Sequence, residues 1–196
     1  MKHIARLSLS LLIYINGLGG CCFAQSKAPS NSGSRKTEAD PKGWKVFTSA
    51  EGGFSILLPG TPEEVVRELT YPFGKAQGHF FNLSTFATFG FSYTKLPIDV
   101  EASGMAKGFL DQARDGFVAS SKGKPLDETE IELEGHPGRL LKMELPGGDI
   151  FRQKVIVVGS HVYQMVFISR DKGVPPAVLN YHESAAKRYF DSFKLL

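Results

Sequence analysis

Apolar and polar residues alternate along several stretches of this chain, which is the pattern of strands with one buried face. In the run from Phe89 to Leu96, Phe89, Phe91 and Tyr93 fall on one face and small or polar residues fall on the other. Similar runs are bounded by clusters of Gly, Pro, Asp and Ser. The predicted strands are residues 44–47, 54–58, 64–70, 77–83, 89–96, 126–134, 139–145, 151–158 and 162–169.

Two other segments have a helical period. Asp99 is a predicted N-cap, and the apolar or small residues that follow it share one stripe with spacings of three or four. They are Ala102, Met105, Ala106, Phe109, Ala113, Gly116 and Phe117. A second helix is predicted over residues 177–190, with Pro176 near its first turn. Short connections between most strands favour an α+β fold, a mostly antiparallel sheet packed with two main helices.

Two sequence runs predict hairpin turns. YPFGK, at residues 71–75, joins two predicted strands and contains the Pro and Gly that turns favour. GHPGR, at residues 135–139, joins two more, and Pro137-Gly138 supplies the central residues of a type II turn.

The N-terminus has the pattern of an export signal. Lys2, His3 and Arg6 precede or border the apolar run LSLSLLIYI at residues 7–15, which is too short to span a membrane. A segment rich in Ser, Lys, Pro and Asn follows, and it lacks the apolar surface needed to fold. The predicted organisation is a signal peptide at residues 1–20, a flexible tether at 21–43 and one globular domain at 44–196.

Two cleavage sites compete. Leu18-Gly19-Gly20-Cys21 resembles a bacterial lipobox, in which case Cys21 becomes a lipidated N-terminus that holds the protein at the membrane. In the alternative, Cys22-Phe23-Ala24 is a small-x-small site, cleavage occurs before Gln25, and the product is soluble in the periplasm or outside the cell. The chain has two cysteines, Cys21 and Cys22, so either product has a folded domain without a thiol.

Charge and motifs exclude several functions. The formal charge is +3, and Lys2 and Arg6 are lost with a segment that contains no acidic residue, so the exported chain carries +1 and is not expected to bind nucleic acid. No nucleophile elbow or phosphate loop is found, and His182-Glu183 lacks the second histidine of a zinc-protease helix. The remaining domain histidines lie on different predicted elements. We therefore predict no catalytic residues, no metal site and no cofactor.

Two clusters have both a structural and a functional interpretation. Glu128, Glu130, Glu132 and Glu134 project from one strand face, and we expect this face to be solvated and neutralised by Lys142 or Lys154 across the sheet. The aromatic strand is expected to form core. It could alternatively line an apolar ligand cavity, whose walls would be Phe89, Phe91, Tyr93, Met105 and Phe109.

Four runs together resemble bacterial exported proteins related to the Mog1/PsbP-like fold group. They are EGGFSILLPGTPEE, EGHPGR, VGSHVYQMVF and YFDSFKLL, within residues 44–196. The resemblance implies an α/β/α sandwich and a mainly non-catalytic group that contains photosystem accessory subunits, a small-GTPase partner and envelope lipoproteins or adaptors.

The predicted function is that of a non-enzymatic accessory or adaptor domain, exported and acting by contact with an envelope protein. Its membrane association would come from the lipid on Cys21. One alternative is an extracytoplasmic binder of a small apolar ligand, and another is a hydrolase whose Ser, His and Asp residues converge only in the folded chain.

Overall fold

The structure is a computed structural model that describes residues 43–196. The predicted signal peptide, both cleavage sites, Cys21 and the tether up to residue 42 lie outside the described residues. Within the described range the chain forms ten strands and two helices. The first five strands are β1 Lys45–Ser49, β2 Phe54–Leu58, β3 Glu63–Tyr71, β4 Gly74–Ser84 and β5 Thr88–Lys95. Then come α1 Ala106–Ser121, β6 Lys124–Leu133, β7 His136–Glu144, β8 Asp149–Val158, β9 His161–Arg170, α2 Pro176–Asp191 and β10 Lys194–Leu195.

The strands form two antiparallel sheets. The larger sheet has seven strands in the order β3-β4-β5-β9-β8-β7-β6, and the smaller one has three in the order β1-β2-β10. Each neighbouring pair in the larger sheet is antiparallel, and most are consecutive in the chain. The predicted α+β class, with a mostly antiparallel sheet and two helices, is confirmed.

The two helices cover opposite faces of the large sheet. Val155 and Val157 of β8 pack in a cluster with Leu110 of α1. Ile156, between them, packs in a different cluster with Ala185 of α2. Because successive strand residues point to opposite faces, α1 lies on one face and α2 on the other.

The small sheet shares the α2 face and closes the main core. Phe54 of β2 is fully buried, and its ring lies 4.2 Å from that of Phe91. Two tyrosines tie the layers together, since Tyr163 Oη donates to the carbonyl of Gly52 at 2.7 Å and Tyr189 Oη donates to that of Gly90 at 2.6 Å. These buried hydroxyls are therefore satisfied by backbone.

Helix α1 differs from its prediction in its start and in its buried stripe. It begins at Ala106, after Met105, and Asp99 instead accepts a hydrogen bond from the Ala102 amide in the preceding turn. The buried side chains are Ala106, Leu110, Ala113, Phe117 and Ser121, so the stripe passes through Leu110 and leaves Phe109 half-buried. The prediction was wrong because residues 102–105 are not helical, so a helical spacing counted from Ala102 does not identify the buried face of α1.

The β6–β7 turn also differs from its prediction. Glu134 and Gly135 have φ of +54° and +88°, and they form a tight two-residue turn between Leu133 and His136. Such a turn matches the twist of a hairpin better than the predicted type II turn. Gly138 lies within β7, where a Cβ atom would come 2.5 Å from the carbonyl oxygen of Val155. That glycine is needed for close strand packing and not for the turn.

Candidate functional site: the two flanks of helix α2

Helix α2 divides one face of the large sheet into two flanks. Pro176 occupies its first turn, and His182, Ala185, Ala186 and Tyr189 are buried at helical spacing against the sheet. The residues on either side of this stripe face the outer strands in one direction and the β4–β5 loop in the other. One flank contains a cavity and the other has exposed aromatic side chains, and neither feature is part of the hydrophobic core.

A buried network of ion pairs and hydrogen bonds anchors α2 to strands β8 and β9. Arg152 is only 6% exposed, and its guanidinium donates to Ser169 Oγ at 3.0 Å, Asp171 Oδ2 at 2.8 Å and Glu183 Oε1 at 2.6 Å. Ser169 Oγ donates to Asp171 Oδ1 at 2.8 Å, and His182 Nδ1 lies 2.8 Å from the same oxygen. Asp171 thus holds together an arginine, a serine and a histidine from three elements.

The network keeps its carboxylates ionised. Burial opposes the charge of Asp171, but hydrogen bonds from Arg152, Ser169 and His182 outweigh it and hold the pKa of Asp171 below its ordinary value. Burial also opposes the charge of Glu183. Hydrogen bonds from Arg152 and Lys142 have the larger combined effect, so the pKa of Glu183 is lowered as well. Both effects favour a charged, rigid junction at this point of α2.

On one flank, a cavity of about 430 Å³ lies between α2 and strands β6, β7 and β8. We call it the α2 groove. Its apolar lining comes mainly from Ile131, Leu140, Ala186 and Phe190. Its cationic lining is Lys142, Arg152, Lys154 and Lys187, and its anionic lining is Asp127, Glu132, Glu183 and Asp191. The volume falls within the range of small-molecule sites, about 300–1,000 Å³.

Lys154 differs from the other cations of the α2 groove. Arg152 and Lys142 both pair with Glu183, and Lys187 pairs with Asp191. Within residues 43–196, Lys154 has no carboxylate at ion-pair distance, and its Nζ donates to the Phe190 carbonyl at 3.2 Å. Burial lowers the pKa of Lys154, and the nearby charge of Asp191 only partly opposes this.

On the other flank, aromatic side chains meet at the surface. Phe86, in the β4–β5 loop, and Tyr181, on α2, are 40% and 52% exposed, and their ring centroids lie 4.8 Å apart. Val178 lies one helical turn before Tyr181 and is 37% exposed. We call Phe86, Val178 and Tyr181 the aromatic patch. The edge-on contact of Phe86 with buried Phe89, at 5.6 Å, fixes the loop beneath it.

The predicted ligand cavity does not form. Phe89, Phe91 and Tyr93 are buried in the cluster on the α2 face, whereas Phe109 packs with the cluster on the α1 face. Met105 precedes α1 and is 44% exposed. The five residues therefore lie on opposite sides of the sheet, because the aromatic side of β5 faces the small sheet and not α1.

The acidic face of β6 is solvated as expected, but its partners are different. Arg139 of β7 lies 3.0 Å from Glu128, and Arg114 of α1 lies 2.8 Å from the same carboxylate. Lys142 is paired across the sheet with Asp127 and points to the opposite face, towards Glu183. The prediction of Lys142 or Lys154 was wrong because the glutamates are in register with odd-numbered residues of β7, such as Arg139, and only those side chains share their face of the sheet. Glu134 lies in the turn.

The domain histidines lie apart. His79 Nδ1 is 3.1 Å from Glu64, His136 Nδ1 is 2.9 Å from Glu101, and His182 contacts Asp171. His161 stacks beside Tyr163. Across residues 43–196, no group of three or more His, Cys, Asp or Glu side chains is arranged to hold a metal ion.

The sequence did not predict the positions of Arg152, Lys154, Asp171 and Tyr181 on the two flanks of α2. A usable signal was present for the first two, because FRQKVIVV places two cations at alternate positions of an otherwise apolar strand. Such cations must point inward and need partners. Asp171 and Tyr181 gave no local signal.

Comparisons with known proteins define no family for this chain. No family model matches it, and no curated protein matches it. It is similar to the solution structure of cyanobacterial PsbP (CyanoP) from Synechocystis sp. PCC 6803, at 12% identity and a TM-score of 0.48, over 88% of this chain and 98% of that one.

A second similar structure is a protein of unknown function, PA94 from Pseudomonas aeruginosa, described as a putative regulator. It is 18% identical, with a TM-score of 0.39, over 74% of this chain and 91% of that one. At these scores neither likeness carries an argument about function. Neither helix within residues 43–196 has the length and apolar character needed to cross a membrane.

Proposed function

We propose that this chain is a non-enzymatic accessory domain of the cell envelope that binds another protein through the aromatic patch. The observation that carries this proposal is the contact between two exposed aromatic rings, Phe86 and Tyr181, beside exposed Val178. Aromatic residues are enriched in the centres of protein interfaces and supply much of their binding energy.

The patch is rigid, which favours binding. Phe86 rests on Phe89, and Tyr181 belongs to a helix that is anchored by the Arg152 network through the adjacent residues His182 and Glu183. Side chains held in place before association lose less conformational entropy when a partner covers them. The patch therefore suits an interface more than a surface that only contacts solvent.

The arrangement of polar side chains supports a non-enzymatic role. His79, His136 and His182 each contact a carboxylate, but they belong to three different elements, β4, β7 and α2. Ser169, which shares the carboxylate of Asp171 with His182, gives its hydrogen bond to that carboxylate. In the Ser-His-Asp arrangement the serine hydroxyl instead contacts the histidine.

The test is site-specific photocrosslinking in intact cells, with a photoreactive phenylalanine at position 86 or 181. We expect both positions to give one common adduct, and Tyr181→Ala to abolish the adduct formed from position 86. Met105, which is comparably exposed near the α1 face, is the matched control position and should not give it. The same adduct from position 105, or no adduct from positions 86 and 181, would contradict the proposal.

Catalysis is tested separately on the purified chain. Turnover of ester, phosphate, glycoside or peptide substrates that is lost in His182→Ala but retained in His79→Ala would reject the non-enzymatic role.

The proposal includes export and lipid attachment at Cys21. If this cysteine is acylated, Cys21→Ser should move the protein out of the membrane fraction, and the mass of the exported protein should include acyl chains. Cys22→Ser is the matched control and should leave the protein at the membrane. A soluble exported chain that begins at Gln25 would establish the alternative cleavage and reject the lipid anchor.

A further inference from the structure

The α2 groove lies on the flank of α2 opposite the aromatic patch and shares no residue with it. Its floor is formed by Leu140 on β7 and Lys154 on β8, which lie directly across from each other. Phe190, near the end of α2, forms the wall, and Ile131 of β6 lies at the outer side. One half-buried cation thus lies beside aliphatic and aromatic side chains.

The α2 groove is lined by four cations and four carboxylates, but among residues 43–196 no carboxylate lies within ion-pair distance of Lys154. Arg152 and Lys142 share Glu183, and Lys187 is neutralised by Asp191. Lys154 uses one of its three N–H groups on a neutral carbonyl, and two remain for a ligand. A desolvated ammonium without a counter-ion is costly, so an anion that enters the groove gains more here than at an exposed lysine.

The charged side chains that line the α2 groove favour a ligand with a single negative charge. A single negative charge complements Lys154, whereas a dianion would place excess charge near Glu183 and Asp191. Ile131, Leu140, Ala186 and Phe190 provide no polar side-chain partners and favour an aliphatic chain. We infer that the α2 groove binds an aliphatic monocarboxylate, such as a fatty acid, with its carboxylate on Lys154 and its chain against Leu140 and Phe190.

The test is calorimetric titration of the full chain with octanoate, octan-1-ol and octyl phosphate, which share a tail and differ in head group. We expect saturable binding of octanoate, at least about tenfold tighter than binding of the neutral alcohol, since a charge-assisted hydrogen bond is worth that much. Octyl phosphate, as the dianion, should bind more weakly than octanoate. Equal affinity for all three ligands would overturn the assignment of Lys154 as the carboxylate partner.

Variants then locate the site. Lys154→Met keeps the aliphatic stem and should weaken octanoate binding about tenfold or more, while Lys154→Arg should retain most of it. Lys75→Met removes an exposed cation that pairs with Glu68 on the distant edge of the sheet, and it should leave binding unchanged. Trp44 fluorescence verifies that each variant is folded. Undiminished binding by folded Lys154→Met, or no saturable binding by the wild type, would overturn the inference.

Discussion

At the scale of single residues, Arg152 shows how a buried charge is tolerated in this fold. The two terminal nitrogens of its guanidinium donate to two carboxylates and a hydroxyl, and these hydrogen bonds offset most of the loss of hydration, while Nε is buried without a partner among residues 43–196. If one carboxylate is removed, the buried guanidinium keeps its charge but loses one of its hydrogen-bond partners. It cannot move into solvent, because β8 lies inside the sheet, between β9 and β7. The stability of the α2 junction therefore depends on Asp171.

We expect Asp171→Ala to lower the free energy of unfolding by about 3 kcal/mol. This is the lower end of the range for breaking a buried ion pair, because Glu183 remains next to Arg152. Urea unfolding followed by Trp44 fluorescence measures the change. The control is Glu68→Ala, which removes an exposed partner of Lys75 and should have little effect. Equal losses in the two variants would mean that the network contributes no more than a surface pair.

The same network predicts a dependence on pH. The pKa values of Asp171 and Glu183 are lowered from 3.8 and 4.5 in the folded state, so the unfolded chain binds more protons as the solution is acidified. Their contribution is complete above the unfolded pKa values and is lost as pH falls through the lower, folded ones. The difference in unfolding free energy between wild type and Asp171→Asn should therefore shrink as pH falls from 6 towards and below about 4. A constant difference, measured by urea titrations at several pH values, would contradict this.

Two glycines should respond to alanine in opposite directions. At Gly138 a Cβ would come 2.5 Å from the Val155 carbonyl oxygen and from Ile156 Cδ1, so Gly138→Ala must displace β7 from β8 and destabilise the protein. At Gly108, within α1, a Cβ meets nothing within 4 Å. Gly108→Ala should therefore stabilise the chain by about 0.5–1 kcal/mol. Thermal unfolding of both variants checks the pair, and destabilisation by Gly108→Ala would show that α1 is packed differently.

At the scale of elements, α1 is held to the sheet by its C-terminal half more than by its start. Phe117 is buried, and its ring stacks on that of Phe151 with centroids 4.3 Å apart. Phe109 is half-buried, and its ring lies 6.4 Å from that of Tyr71. The sequence had placed Phe109 at the centre of this contact.

We expect Phe117→Ala to cost about 3–5 kcal/mol, the usual range for a fully buried phenylalanine. Phe109→Ala, the matched control on the same helix, should cost clearly less because part of its ring is already in solvent. Denaturant unfolding of the two variants gives both numbers. A larger loss for Phe109→Ala would place the core of α1 at the predicted stripe and contradict the structure.

At the scale of the whole molecule, the two cores share one sheet. Strands β8 and β9 contribute Val155 and Val162 to the α1 side and Ile156 and Tyr163 to the α2 side. If the elements on one face of the sheet unfold, apolar side chains of β8 and β9 on that face become exposed to water. We therefore expect the elements on the two faces to unfold together.

Trp44 provides a test of this cooperativity. It is the single tryptophan of the chain and packs on the α2 side against Phe89, far from α1. Its fluorescence and the far-ultraviolet circular dichroism should give the same urea midpoint, in wild type and in Phe117→Ala. Transitions that separate in Phe117→Ala would show that the α1 layer unfolds independently.

The sequence by itself determined the local elements. The strand Phe54–Leu58 coincides with its prediction, and α2 begins beside Pro176 as expected. Apolar alternation, helical spacing and turn-forming Gly and Pro residues are properties of neighbouring residues, and they act on the backbone within a few positions. They were sufficient to predict the fold class, because short links between strands favour antiparallel pairing.

Tertiary structure alone decided which elements face each other. The period of β5 showed that Phe89 and Phe91 share a face, but only the order of the strands places that face against the small sheet and away from Phe109. Phe86 and Tyr181 meet across 94 intervening positions, and Asp171 reaches Arg152 only because β8 and β9 are paired. Such contacts depend on strand order and register across the whole sheet, which no local pattern of residues encodes. The aromatic patch and the α2 groove, the two surfaces proposed for binding, both arise from long-range contacts.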